Sequence, residues 1–117
     1  MSAIVNVLGR VGAGEQNNPD DVRVVQRLME LGSRGKPFAG SIGLPQPNGH
    51  FDAVTGFWIY RSQQTLNVRV VDGIVSPARG AHYAPTGGLW TIIILNYYAK
   101  DNCPADYAAL LAQSATP

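Results

Sequence analysis

Apolar positions spaced by three and four alternate along this chain with stretches dense in glycine and proline, and that alternation predicts a mainly α fold. In "NPDDVRVVQRLMELG", Val22, Val25, Leu28 and Met29 fall on one helical face. Asn18 is placed to cap this helix and Pro19 to occupy its first position, where a missing N–H costs nothing. Asp20 and Asp21 put negative charge at the positive end of the helix dipole. Gly32 is expected to end it, giving a helix near residues 19 to 31.

A second helix is predicted from about Asp52 to Thr65, entered through the Asn48-Gly49 turn. Gly56 inside it costs roughly 1 kcal/mol relative to alanine, so tertiary packing must hold it. Phe57, Trp58, Ile59 and Tyr60 stand consecutively, and four bulky groups in one turn cannot all face one core. "TGGLWTIIILNYYAK" predicts a third helix over residues 87 to 99, capped near Thr86. Its β-branched run Ile92, Ile93 and Ile94 leaves a strand open locally, but its length favours a helix. Pro104 opens a short last helix over "ADYAALLAQ", held to the body by Tyr107, Leu110 and Leu111. The expected core contains Val22, Val25, Met29, Ile59, Ile74, Leu89 and Ile93.

Between the helices, residues 3 to 11 read as an extended lead rich in Ile and Val, and "GAGEQNN" breaks it. Residues 33 to 50 form a loop unusually long for a compact domain. It is either a functional loop or an insertion pinned by Phe38, Ile42 and Leu44. A short echo links "NGHFDA" at 48 to 53 with "DGIVSP" at 72 to 77: each has a turn, an apolar residue two positions after the glycine, and a helix downstream. The 117 residues are read as a single domain, with an extended lead at 1–17, a three-helix core at 18–99 and a C-terminal tail at 100–117.

Composition narrows the function classes. Charged residues are 15% of the chain, against roughly 25% in typical soluble domains, and the formal charge is +1. Neither nucleic acid nor an anionic membrane surface has an electrostatic footprint here. No apolar run approaches the ~20 residues of a membrane span. "MSAIVNVLGRVGAG" lacks a basic start followed by a long apolar stretch, so no Sec signal peptide is expected.

"DVRVVQRLMELG", then "NGHFDAVTGFWIYRSQ", then "DGIVSPARG" before an apolar helix, resembles the peptidoglycan-binding-domain-like family over about residues 12 to 98. That family's pattern is roughly a D-V-x-x-V-Q-x-x-L helix, a D-G-x-F-G-x-x-T turn into an A-I-x-x-F-Q helix, and a D-G-x-V-x-P turn into a last helix. "VGAGEQN" is similar to the lead of a version with a long loop after the first helix, found in bacterial contractile (type VI) secretion and cell-wall proteins. The chain departs from the pattern at Asn48, Asp52, Ala53, Trp58 and Ser62, where Trp58 is expected to fill the volume of a missing Phe.

The resemblance implies that Thr55, Trp58, Ile59 and Ser62 face the bundle. Phe57, Tyr60, Arg61 and Gln64 then share another face at i, i+3, i+4 and i+7. Aromatic faces stack on sugar rings, Arg pairs with a lactyl or peptide carboxylate, and an amide reads acetamido groups. These four, with Asp72 as a secondary member, are the expected ligand-binding residues; the competing reading has the long loop or the C-terminal tail covering the stripe. Gln26 and Gln63 are expected to tie turn backbones, and Asn48 and Asp72 to satisfy local N–H groups.

His50, His82 and Cys103 are the candidates for a metal site or a nucleophile, and no two lie at ligand spacing. "GAGEQNN" lacks the Gly-Lys-Ser/Thr ending of a phosphate loop. The expectation is therefore a non-enzymatic module without cofactor or metal that binds peptidoglycan or muropeptide. It would be cytoplasmic until exported and act in the periplasm or cell wall. The alternative is a protein-interaction module on the same fold, partnering a secretion-system or effector protein; a small hydrolase using Cys103 and His82 is a third class.

Overall fold

The computed structural model describes residues 4–35, 43, 45–65, 71–79 and 89–114. Among the described residues four helices follow in order: α1 (Pro19–Ser33), α2 (Ala53–Thr65), α3 (Thr91–Asn102) and α4 (Pro104–Ser114). The fold is mainly α, as the apolar spacing predicts. The proposed caps at Thr86, the pinning residues Phe38, Ile42 and Leu44, and His82 lie outside the described residues.

α1 and α3 form the principal packing pair. Val22, Val25, Leu28 and Leu31 of α1 and Ile92, Ile93 and Leu95 of α3 are buried, joined by Trp58 and Ile59 of α2. Gly32 does not end α1 but lies within it, because the helix needs a small residue there. A Cβ on Gly32 would come within 2.9 Å of the Tyr98 Cβ, so its absence allows the close approach of α3. The chain leaves the helix after Ser33, and the left-handed residue is Gly35 at φ +79°.

The α1 start also differs from expectation. Asn18 makes no side-chain cap; its backbone carbonyl accepts the Val22 N–H at 2.9 Å. α2 begins at Ala53, one residue late, because Asp52 is its cap: the Asp52 carboxylate accepts the Thr55 N–H at 2.8 Å and the Thr55 hydroxyl at 2.6 Å. α3 begins at Thr91 rather than in the region before Leu89, and it runs on to Asn102. Ile74 and Leu89 are half-buried rather than core, whereas Val22, Val25, Met29, Ile59 and Ile93 are buried as predicted.

The lead segment is extended, but side chains hold it instead of a sheet. Asn96 of α3 accepts the Val5 N–H at 2.8 Å and donates to the Val5 carbonyl at 2.9 Å. The Asn6 amide bridges both backbone groups of Ala78. Asp21 accepts the Leu8 and Gly9 N–H groups, each at 2.9 Å. An antiparallel bridge joins Val11 to Val75. Val5, Val7 and Val11 thereby enter the core, with both backbone groups of Val5 and Val11 bonded and the Val7 N–H donating to Asn6 Oδ1 at 2.9 Å.

α4 docks against α1 and α3. The Tyr107 hydroxyl donates to Asn96 Oδ1 at 2.6 Å, and Asn102 Nδ2 donates to the Leu31 and Arg34 carbonyls at the end of α1. Arg34 bridges Glu30 and Asp106, tying α4 to the same end. Hydrogen bonding from Arg34, with Arg27 beside it, holds the Glu30 carboxyl below its ordinary pKa.

Candidate functional site

Two turns place α2 and α3, and they use one design twice. Gln26 of α1 donates to Asn48 Oδ1, the His50 carbonyl and the Thr55 hydroxyl, and accepts the Gly49 N–H at 2.9 Å. Gln63 of α2 donates to Asp72 Oδ1, the Ile74 carbonyl and the Thr91 hydroxyl, and accepts the Gly73 N–H at 2.7 Å. Asn48 and Asp72 each accept the N–H two residues on, at 2.9 and 3.0 Å. Gly49 and Gly73 supply the left-handed backbone, at φ +80° and +74°. Each helix thus fixes the entry of the next through one buried glutamine, and the sequence echo marks a real structural repeat.

Placed this way, α2 resolves its run of four bulky groups. Trp58 is 3% exposed and Ile59 is fully buried, while Phe57 and Tyr60 are 50% and 47% exposed. Arg61 and Gln64 are also exposed. Thr55 faces the bundle and is buried; Ser62 is half-buried and donates its hydroxyl to the Trp58 carbonyl at 2.7 Å. The Trp58 indole N–H reaches the Gly43 carbonyl at 2.8 Å, which fixes the ring plane. Phe57 meets that ring edge-on at a centroid distance of 6.5 Å.

A groove of about 520 Å³ opens beside α2, bounded also by α1 and α3. Its volume is within the roughly 300–1,000 Å³ range of small-ligand sites. Leu28, Met29 and Leu95 supply its apolar surface. On the α2 side it is lined by Trp58, Arg61 and Ser62; on the α3 side by Tyr98, Asp101 and Asn102. Both sets follow i, i+3, i+4 spacing, so each is one patch of one helix face. Each offers an aromatic ring, a charge and a small polar group, and the two charges are opposite.

Of the five expected ligand residues, the groove takes in Arg61. Phe57, Tyr60 and Gln64 are exposed on α2 but do not line it, and Asp72 sits in the second turn with Oδ1 engaged by Gln63. Sequence reasoning missed Tyr98 and Asp101. Their spacing from Asn102 is readable, but the expected third helix stops at residue 99, before Asp101 and Asn102. Trp58, expected to face the bundle, is both buried and part of the groove.

Among the described residues, no group of three or more His, Cys, Asp or Glu side chains converges as a metal site. Cys103 is a half-buried free thiol at the α3–α4 junction, where its N–H donates to the Ala99 carbonyl and its carbonyl accepts the Tyr107 N–H. Among the described residues, no helix is long and apolar enough to cross a membrane. Comparison with protein-family models, curated proteins and solved structures finds no match for the chain.

Proposed function

We propose that this protein is a non-catalytic binding module for cell-wall peptidoglycan, and that muropeptides occupy the groove beside α2. The observation that carries the reading is the pairing of the groove with the sequence motifs. The positions that resemble the peptidoglycan-binding pattern, Gln26, Thr55, Gln63 and the two Gly turns, are those that set α2 and α3 on either side of it. Tyr98, 38% exposed, supplies aromatic surface for a sugar ring, with the buried Trp58 in the wall behind it, and Arg61 supplies a planar donor set for a carboxylate. The long-loop lead "VGAGEQN" supports a link to a type VI secretion system, which would deliver the module to the periplasm or wall.

Co-sedimentation with purified sacculi tests this. The wild type is expected in the pellet, and Arg61→Gln combined with Tyr98→Ala in the supernatant with an unchanged melting temperature. Wild type that stays in the supernatant overturns the reading. The exposed Phe57 and Tyr60 favour a second reading, in which the outer side of α2 meets a secretion-system or effector protein. Size-exclusion chromatography with neighbouring gene products separates the two.

A further inference from the structure

Resting on the peptidoglycan reading, we infer that the groove prefers a sugar bearing a free amine over its N-acetylated form. The ring stacks on Tyr98 and its ammonium meets the Asp101 carboxylate. Tyr98 and Asp101 are three residues apart on α3 and both line the groove. That spacing sets their Cβ atoms about 5–6 Å apart on one helix face. An ammonium on a ring carbon of a sugar stacked at Tyr98 therefore falls beside the carboxylate. Arg61, on α2, plays no part in this contact.

The electrostatics of this corner suit a cation. Gly32 and Ser33 end α1, Asp101 and Asn102 end α3, and all four line the groove. Two helix C-termini, each the negative end of its dipole, thus meet here. A carboxylate in the last turn of a helix opposes that dipole, so local stability gives no reason for Asp101 to stand there. Asp101 is exposed, and among the described residues its carboxylate has no ion-pair or hydrogen-bond partner. Arg34 is committed to Glu30 and Asp106, and Lys100 does not line the groove. The buried Leu28, Met29 and Leu95 behind the corner lower the local dielectric, which strengthens a charge contact.

An acetamido group gains less. Its carbonyl needs a donor, and both hydrogens of Asn102 Nδ2 are committed to the Leu31 and Arg34 carbonyls, at 2.8 Å each. Its N–H donates to Asp101 as a neutral group, roughly half as strongly as an ammonium.

The test is isothermal titration of the full chain, near pH ~6, where amines are protonated and carboxylates ionised. The probes are a soluble muropeptide and the same muropeptide with one sugar de-N-acetylated. The de-N-acetylated form is expected to bind about tenfold more tightly. Asp101→Asn is expected to abolish that preference while leaving affinity for the acetylated form within about twofold, and to melt no lower than wild type. Tyr98→Ala is expected to weaken both forms, because both share the ring contact. Equal affinity of wild type for the two forms, or a preference that survives Asp101→Asn, overturns the amine site and leaves the peptidoglycan reading standing. Binding of neither form also overturns the amine site, and absence from the sacculi pellet as well overturns the peptidoglycan reading.

Discussion

The side-chain oxygen of Gln63 accepts the backbone N–H of Gly73 at 2.7 Å, which makes a helix residue the template for a turn ten positions downstream. The same glutamine spans the acceptors that bring in the first residue of α3, Thr91. Replacing Gln63 or Gln26 with Leu leaves a turn N–H without its acceptor in a largely buried site. Each change is expected to cost about 2–3 kcal/mol in urea denaturation.

The two glutamines differ in one neighbour, and that difference is measurable. Gln63 meets Asp72, whereas Gln26 meets Asn48. At neutral pH Gln63→Glu places two carboxylates in contact, and Gln26→Glu places one carboxylate against an amide that can donate to it. Gln63→Glu is expected to be the more destabilising of the two. Equal losses would mean that the two turns are not electrostatically distinct.

Asp52 gives the acid limb of the stability profile a specific origin. Hydrogen bonds from the Thr55 hydroxyl and backbone N–H hold its carboxyl below the ordinary aspartate pKa. A depressed folded value means that its contribution is complete above the unfolded value of about 3.9 and is lost as pH falls through the folded one. Asp52→Ala is expected to cost about 1 kcal/mol at neutral pH. The variant's melting temperature should also fall less than that of the wild type as the solution is acidified below pH ~4.

Tyr107 does the opposite at high pH. Burial pushes its phenol above the ordinary tyrosine pKa, and its hydroxyl donates to Asn96. A raised folded value contributes stability that is complete below the unfolded value of about 10 and is lost as pH rises through the folded one. Tyr107→Phe is expected to lower stability by about 1 kcal/mol near neutrality. It should also flatten the alkaline loss seen in the wild type above pH ~10.

Substitutions along α2 separate folding from binding. Trp58→Ala removes a buried ring that also donates to the Gly43 carbonyl, and is expected to cost ~3–5 kcal/mol. Tyr60→Ala, at an exposed position, is expected to stay within about 0.5 kcal/mol of wild type. Cys103→Ser is expected to leave retention on sacculi unchanged, because Cys103 does not line the groove.

Helix count, the buried faces of α1 and α2, and the structural duty of Gln26 and Gln63 were legible in the sequence, because periodicity and turn chemistry are local signals. The inward turn of Trp58 and Ile59 followed from the same periodicity. The role of Gly32 was not legible, since a glycine ending a helix and a glycine admitting a neighbour leave the same mark in one dimension. Nor was the clamping of the lead by Asp21, Asn96 and Asn6, which depends on partners 12 to 91 residues away. The α3 half of the groove was hidden for a related reason: Tyr98 and Asp101 acquire meaning only once α2 sets Trp58 and Arg61 beside them.

The most direct test is amide and indole chemical-shift mapping of the isotopically labelled protein during titration with soluble muropeptides. Binding in the groove predicts saturable shifts at the Trp58 indole N–H, Arg61, Ser62, Tyr98 and Asp101, with Phe57, Tyr60 and Gln64 little changed. Shifts confined to Phe57, Tyr60 and Gln64, or no shifts at any muropeptide concentration, would contradict it.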